Sequence, residues 1–454
     1  MLLRLVSACA AACVLARAAS AATDPEIKFE KYQLPNGLTV ILSEDHRLPQ
    51  VAVDIWYHVG AANQTPGKSG FAHLFEHMMF SGSKHVQPTA FKVLESIGAS
   101  QVNGTTNNDR TNYFEVVPSA ELPAALWLES DRMGFLLDTL DDQKLKVQRD
   151  VVSNERRQSY ENRPYGTSQL EICDLLYPKP HPYFDCVIGD IAEIQSASTA
   201  DVRAFFRQYY GPNNASLAIV GDFDPQVARR QVAQFFGPIP RGPEVVRPDV
   251  VQPLLKGVVK KRVDDKLAEL PRLVLVWNGL KRFAEDEAAG DVLAEILGGG
   301  KTSRLYKSLV FDKQVASGVS ASNPTLDLGG YFEIAATANQ GRTLLELQPL
   351  VQEILDGVRK DGVTAAEVER ARRNILANTL RTVQRIGGFG GKADLLNTYE
   401  TFLGDPGYLP RDLARYRAVT AESVKAFANK WLPDGRRIEL DVEPLARTAQ
   451  EQKR

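Results

Sequence analysis

TADVRAFFRQYYGPNNASLAIV, residues 199–220, returns in altered form as TAESVKAFANKWLPDGRRIELDV at 420–442. Each copy opens on a threonine placed to cap a helix, continues with a Val-x-Ala-Phe face, turns, and closes on a strand-like run. Val202 matches Val424 and Phe205 matches Phe427, an offset of about 222 residues in a chain of 454, close to the half-length that a tandem duplication requires. LPRLVLVWNG (270–279) followed by EDEAAGDVLAEILG (285–298) likewise echoes the opening of the first half. Between the halves, 237–258 is rich in proline and carries no periodicity, the composition of a linker. The sequence therefore divides into a leader (1–22), a first domain (23–240), a linker (241–258) and a homologous second domain (259–454).

Within the first half, FEKYQLPNGLTVILSED (29–45) reads as a hairpin turning at Pro35-Asn36-Gly37, because Asn-Gly accepts the positive φ that a tight turn demands. VAVDIWYHVGA (51–61) and NYFEVVP (112–118) read as strands, and helical patterns cover 68–80, 88–98, 119–137 and 141–160. Strands and helices are mixed without a regular βαβ alternation, so the class is α+β.

Composition narrows the function. Apolar residues make up 44% and charged residues 24%, with a formal net charge of -2, which excludes a dedicated nucleic-acid binder that must neutralise phosphates. Arg4, the apolar run LVSACAAACVLA (5–16) and ASAA (19–22) have the order of a secretory signal. The run is shorter than the ~20 residues a spanning helix needs, so the mature chain is expected in an exported compartment, the bacterial periplasm, with no membrane span. Removal of the leader takes Cys9 and Cys13 and leaves Cys173 and Cys186. A single disulfide or two separate buried thiols are the alternatives there.

FAHLFEHMMF (71–80) carries the chemistry. On a helix, His73 and His77 stand four apart on one face, able to direct both imidazoles at one ion, with Glu76 on the adjacent edge. Zinc accepts such borderline nitrogen and oxygen donors, and a carboxylate beside a catalytic zinc's water can take its proton. H-x-x-E-H is the inverzincin arrangement. The chain has six histidines, so two at this spacing around a glutamate favour a metal site over a core helix. A third ligand is required, and from the residues alone Glu155 and Glu161 are equal candidates.

FAHLFEHMMFSGS, together with NGTTNNDRTNYFEVVP (103–118), RDVVSNE (149–155), HPYFDCVIGD (181–190) and LGGGKTSRLYKSLV (297–310), resembles the pitrilysin and insulin-degrading-enzyme family of zinc peptidases. The resemblance is nearest to short bacterial relatives of the mitochondrial processing peptidase β subunit, and runs from about residue 27 to about 445. It implies two homologous α+β domains, each a bent, mainly antiparallel sheet covered by helices, together forming half of a clamshell. It also implies one zinc ion per chain held by His73, His77 and Glu155, with Glu76 as general base in peptide hydrolysis. Asn103, Gly104 and Thr105 match the family's edge strand, to which extended peptide adds through backbone hydrogen bonds; a plain β-turn is the alternative there.

Two positions depart from the family pattern. Gln148 stands where a glutamate usually orients the third ligand. Val310 and Ser317 stand where active members usually carry an arginine and a tyrosine that hold substrate and stabilise the oxyanion. The resemblance therefore implies a second homologous subunit that supplies the pair and closes the chamber, a heterodimer, with a second copy of the same chain as the other arrangement. A non-catalytic assembly or scaffold subunit is the competing role. GGFGG (387–391) reads as a flexible interhelical connection, His181 as a structural turn residue, and His46, His58 and His85 as ordinary surface or packing residues.

Overall fold

The computed structural model describes residues 25–445, so the leader assigned to 1–22 lies outside them. The first sheet comprises β1 (Glu30–Gln33), β2 (Thr39–Glu44), β3 (Gln50–Tyr57), β4 (Ser100–Thr106), β5 (Thr111–Pro118) and β6 (Ala215–Gly221), ordered β1-β2-β6-β3-β5-β4. The second comprises β7 (Val259–Asp265), β8 (Arg272–Asn278), β9 (Ala316–Ser322), β10 (Tyr331–Ala338) and β11 (Ile438–Pro444), ordered β7-β11-β8-β10-β9. Without β1, the two orders match strand for strand. Each sheet has the same single parallel pair, β2 with β6 and β7 with β11, in an otherwise antiparallel ladder. The fold is α+β and duplicated.

The repeated segments occupy equivalent places, as helix Thr199–Tyr209 leading to β6 and helix Ala421–Trp431 leading to β11. Their caps differ from the expectation. Thr420 caps the second copy, but Ser198 caps the first and Thr199 is already helical. Ser198 prevails because Asp201 stands three residues on and returns the hydrogen bond, closing a capping box.

The faces of the sheets hold a less expected arrangement. One face of the first sheet (Val53, Ile55, Leu217, Ile219) packs beneath its own helices. Its other face (Ile41, Ala52, Val116, Ala218, Val220) is closed by Ala393, Leu396, Tyr399, Leu409 and Leu413, all from the second half. The second sheet returns the exchange: Val274, Val276, Ile438 and Leu440 are covered by Ile172 and Leu176 of helix Gly166–Leu176 and by Tyr177 and Tyr183. Helices at corresponding places in the duplicated halves thus cross to the neighbour's sheet. Asn397, fully buried, fastens one crossing by donating to the Asp54 carbonyl and accepting from Ser216 Oγ, both at 2.8 Å.

Cys173 and Cys186 are bonded, with Cα atoms 5.6 Å apart, tying helix Gly166–Leu176 to the loop that carries Tyr183. GGFGG is no loose connection: Gly387 lies against Ala52 and Val116, and Gly388 against Gln101. His46 and His85 have carboxylate partners, Asp222 and Asp131, and His181 is buried between Tyr177 and Tyr183. Among the described residues no helix is long and apolar enough to cross a membrane.

Candidate metal centre

Helix Phe71–Met79 is anchored by Phe71, Leu74, Phe75 and Met78 in the first core. It starts abruptly after Gly70, whose φ of 79° and close approach to the Ile188 carbonyl leave no room for a side chain. That anchoring fixes His73 and His77 on the opposite side. A second helix, Asp142–Arg156, is capped by Asp141, whose carboxylate accepts from the Lys144 N–H at 2.7 Å. Val152 and Leu145 bury its inner face, and Glu155 emerges at its last turn, just before a π-helical turn at Arg157–Glu161. Such turns re-aim side chains locally.

His73 Nε2 and His77 Nε2 are 3.3 Å apart, and Glu155 Oε2 stands 3.6 Å from the first and 3.2 Å from the second. Donors bonded at 2.0–2.1 Å to a tetrahedral ion are separated by about 3.3–3.4 Å. The three atoms therefore form one face of a tetrahedron of zinc size, and the set of two imidazoles and a carboxylate suits that ion. Among the described residues no other group of three such side chains can share an ion. Glu161, the equal candidate on residues alone, pairs with Arg156 at 3.0 Å instead.

The electrostatics suit ligation. Burial, then the neighbouring His77, push His73 down to about 4, against the pull of Glu155, so this imidazole is held neutral as a ligand must be. The hydrogen bond with His77 holds Glu155 below the usual carboxylate range. Glu155 is 40% exposed at its side chain, which leaves one side of the cluster open. Glu76 is buried, and burial raises its pKa while a 2.7 Å hydrogen bond from Thr106 Oγ1 to Oε2 lowers it.

Asn103, Gly104 and Thr105 lie in β4 at the free edge of the sheet, not in a turn. Gly104 faces the centre: a Cβ there would stand 3.1 Å from Glu76 Cγ and 2.9 Å from the Phe80 ring. Asn103 Oδ1 accepts from the Gly104 N–H at 2.8 Å, and Thr105 turns to the other face, toward Asn112. Thr106, the next residue inward, is the one that touches Glu76. No motif in the sequence singles it out, and its one signal is the period-two alternation of a strand passing Gly104. Gln148 is half-buried and makes no side-chain hydrogen bond to the ligands. Val310 sits half-buried in a π-helical turn, and Ser317 Oγ donates to the Ala338 carbonyl at 3.2 Å.

Comparison with known proteins agrees with this geometry. Residues 39–171 match the model of insulinase, peptidase family M16, and 196–375 match that of the peptidase M16 inactive domain. The chain is 29% identical over 368 residues to the zinc protease PqqE of Helicobacter pylori, covering 80% of this chain and 82% of that one. It is 24% identical to an uncharacterized zinc protease, YmxG, of Bacillus subtilis, covering 88% and 95%. A protease structure from Helicobacter pylori superposes with a TM-score of 0.86 at 27% identity, over 92% of this chain and all of that one. With both halves matched in order and the H-x-x-E-H helix in place, the chain belongs to peptidase family M16, as a short two-domain member.

Proposed function

We propose that the chain is the catalytic subunit of a zinc-dependent endopeptidase that hydrolyses unfolded peptides. The observation that carries this is the triangle of His73, His77 and Glu155 with Glu76 beside it and the free edge of β4 running past both. When bound, zinc supplies Lewis acidity that polarises a carbonyl and acidifies a water. His73, His77 and Glu155 would hold it. Glu76 Oε1, free of the hydrogen bond that Thr106 makes to Oε2, takes the proton from water and returns it to the leaving amine. β4 holds the substrate extended, so that only a flexible segment fits. Expected export to the periplasm is supported by the leader-like residues 1–22 and agrees with the disulfide.

A second homologous subunit completes the machine in this reading. Val310 carries no donor and the Ser317 hydroxyl already donates to the Ala338 carbonyl, whereas a preorganised donor to a developing oxyanion is worth roughly 3–4 kcal/mol. The same two residues favour the competing role, a non-catalytic scaffold subunit. Zinc content and cleavage of an unstructured fluorogenic peptide, measured for wild type and Glu76→Gln with and without a homologous chain carrying the arginine and tyrosine, separate the two. Stoichiometric zinc in both proteins, and cleavage by wild type that rises with the partner, is the expected result. Equal activity of Glu76→Gln would end the peptidase reading, and full activity of the chain alone would end the need for a partner.

A further inference from the structure

GGFGG (387–391) has no part in the centre described above, yet it is built against the strand that runs past it. The loop crosses the outer face of the first sheet between helices Ala365–Thr382 and Lys392–Leu403. At Gly387 an added Cβ would stand 2.5 Å from Ala52 Cβ in β3 and 2.9 Å from Val116 in β5. Gly388, at a φ of 74° that favours glycine, has the end of the Gln101 side chain of β4 against it. Phe389 sets its ring edge-on to Phe114, with centroids 4.9 Å apart. Phe114 pairs with Asn103 across the β4–β5 ladder. The second half of the chain thus delivers a large apolar ring to the last strands of the first sheet.

Covering Phe114 does not exhaust that ring, since Phe389 remains 58% exposed while Phe114 is 3% exposed. β4 has β5 on one side and no strand on the other among the described residues. Its register shifts between Ser100 and Asn103, with Gln101 at a φ of 52°, so a bulge marks the place where the loop meets it. Beyond the bulge, Gly104 and Thr106 face Glu76, and Asn103 and Thr105 face the opposite way with Phe114 and Asn112. A peptide laid along β4 obeys the same alternation. Residues next to the one presented to Glu76 project to the face where Phe389 stands.

We propose that Phe389, with Phe114 and the Gln101 bulge, forms an apolar subsite for the outward-facing side chain of a peptide bound along β4, selecting peptides with large apolar residues. The subsite rests on the peptidase reading for its occupant, and differs from it in being tested by binding. The full chain carrying Glu76→Gln is titrated with two fluorescein-labelled unstructured peptides of equal length, one leucine-rich and one with those leucines replaced by serine. Anisotropy is expected to show about fivefold tighter binding of the leucine peptide. Phe389→Ala removes that preference and leaves the serine peptide unchanged, while Phe389→Leu keeps most of it. Phe389→Gln, which retains bulk over Phe114 without the apolar surface, also loses the preference and serves where Phe389→Ala melts early. A preference that survives these changes, an equal loss for both peptides, or binding of neither overturns the subsite. Zinc-dependent cleavage that disappears on Glu76→Gln reports the peptidase reading separately: cleavage without any Phe389 dependence sinks the subsite alone, and Phe389-dependent binding without cleavage sinks the peptidase alone.

Discussion

Gly104 shows how little tolerance the centre has. A Cβ at this position would stand 2.9 Å from the Phe80 ring and 3.1 Å from Glu76 Cγ, so Gly104→Ala should press both aside by a few tenths of an ångström without touching a ligand. Misplacing a catalytic group by an ångström can cost about a hundredfold. On the peptidase reading, cleavage by Gly104→Ala is expected to fall by up to about tenfold with zinc content unchanged, and a loss of zinc would show that the helix itself had shifted. Glu76→Gln should lower turnover by about 10²–10⁴-fold, also with zinc retained, whereas Glu155→Gln should lower zinc affinity first. His73, Glu76 and His77 were legible in the sequence because a helix makes neighbours of residues three and four apart. Glu155 was not, because the helix that carries it meets the first only through tertiary packing, and composition gave Glu161 equal standing. The family resemblance points to Glu155, and among the described residues it is Glu155, not Glu161, whose carboxylate stands beside the two imidazoles.

Among the elements, the helix ends are the most explicit in chemical terms. Helix Ala365–Thr382 begins at Thr364 in a capping box with Glu367. Glu367 also receives the fork of Arg304, Nε to Oε1 at 2.7 Å and Nη2 to Oε2 at 2.8 Å. These hydrogen bonds, Arg304's foremost, hold the carboxyl down to about 2 from its ordinary 4.5. A depressed carboxyl stabilises the fold above its unfolded value and ceases to do so as pH falls through the folded one. Glu367→Gln is thus expected to cost about 1–2 kcal/mol at pH 7, a difference from wild type that shrinks as unfolding is measured from pH 4.5 down toward 2. A constant difference across that range would mean that packing, not charge, sets the cost. Caps of this kind could be read in the sequence to within a residue: Ser198 took the place expected for Thr199 because Asp201 completes the box with the serine. The strands were equally legible where a turn forces them, as at Gly37 with its φ of 96°.

Across the whole molecule, the exchange of helices is what the sequence did not disclose. The duplication was visible, since it leaves a repeated pattern, but two compact and separate halves would produce the same repeat. What decides between them is the second apolar face of helices such as KADLLNTYETFL (392–403), and a period of 3.6 residues cannot say which sheet that face will meet. Because Leu396 and Tyr399 close the first sheet and Ile172 and Leu176 close the second, neither half has a complete core of its own. The halves expressed separately, cut within 241–258, should each expose an apolar sheet face and aggregate or stay molten, whereas co-expression should restore an ordered complex despite the break in the linker. Leu396→Ala supplies the finer test. It removes a fully buried side chain at a cost of about 2–5 kcal/mol, and the loss should be felt as faster hydrogen exchange in β2, β3 and β6, more than 150 positions away in the chain. A stable, monomeric first half with native exchange protection would show instead that the crossing helices only decorate a core already sufficient without them.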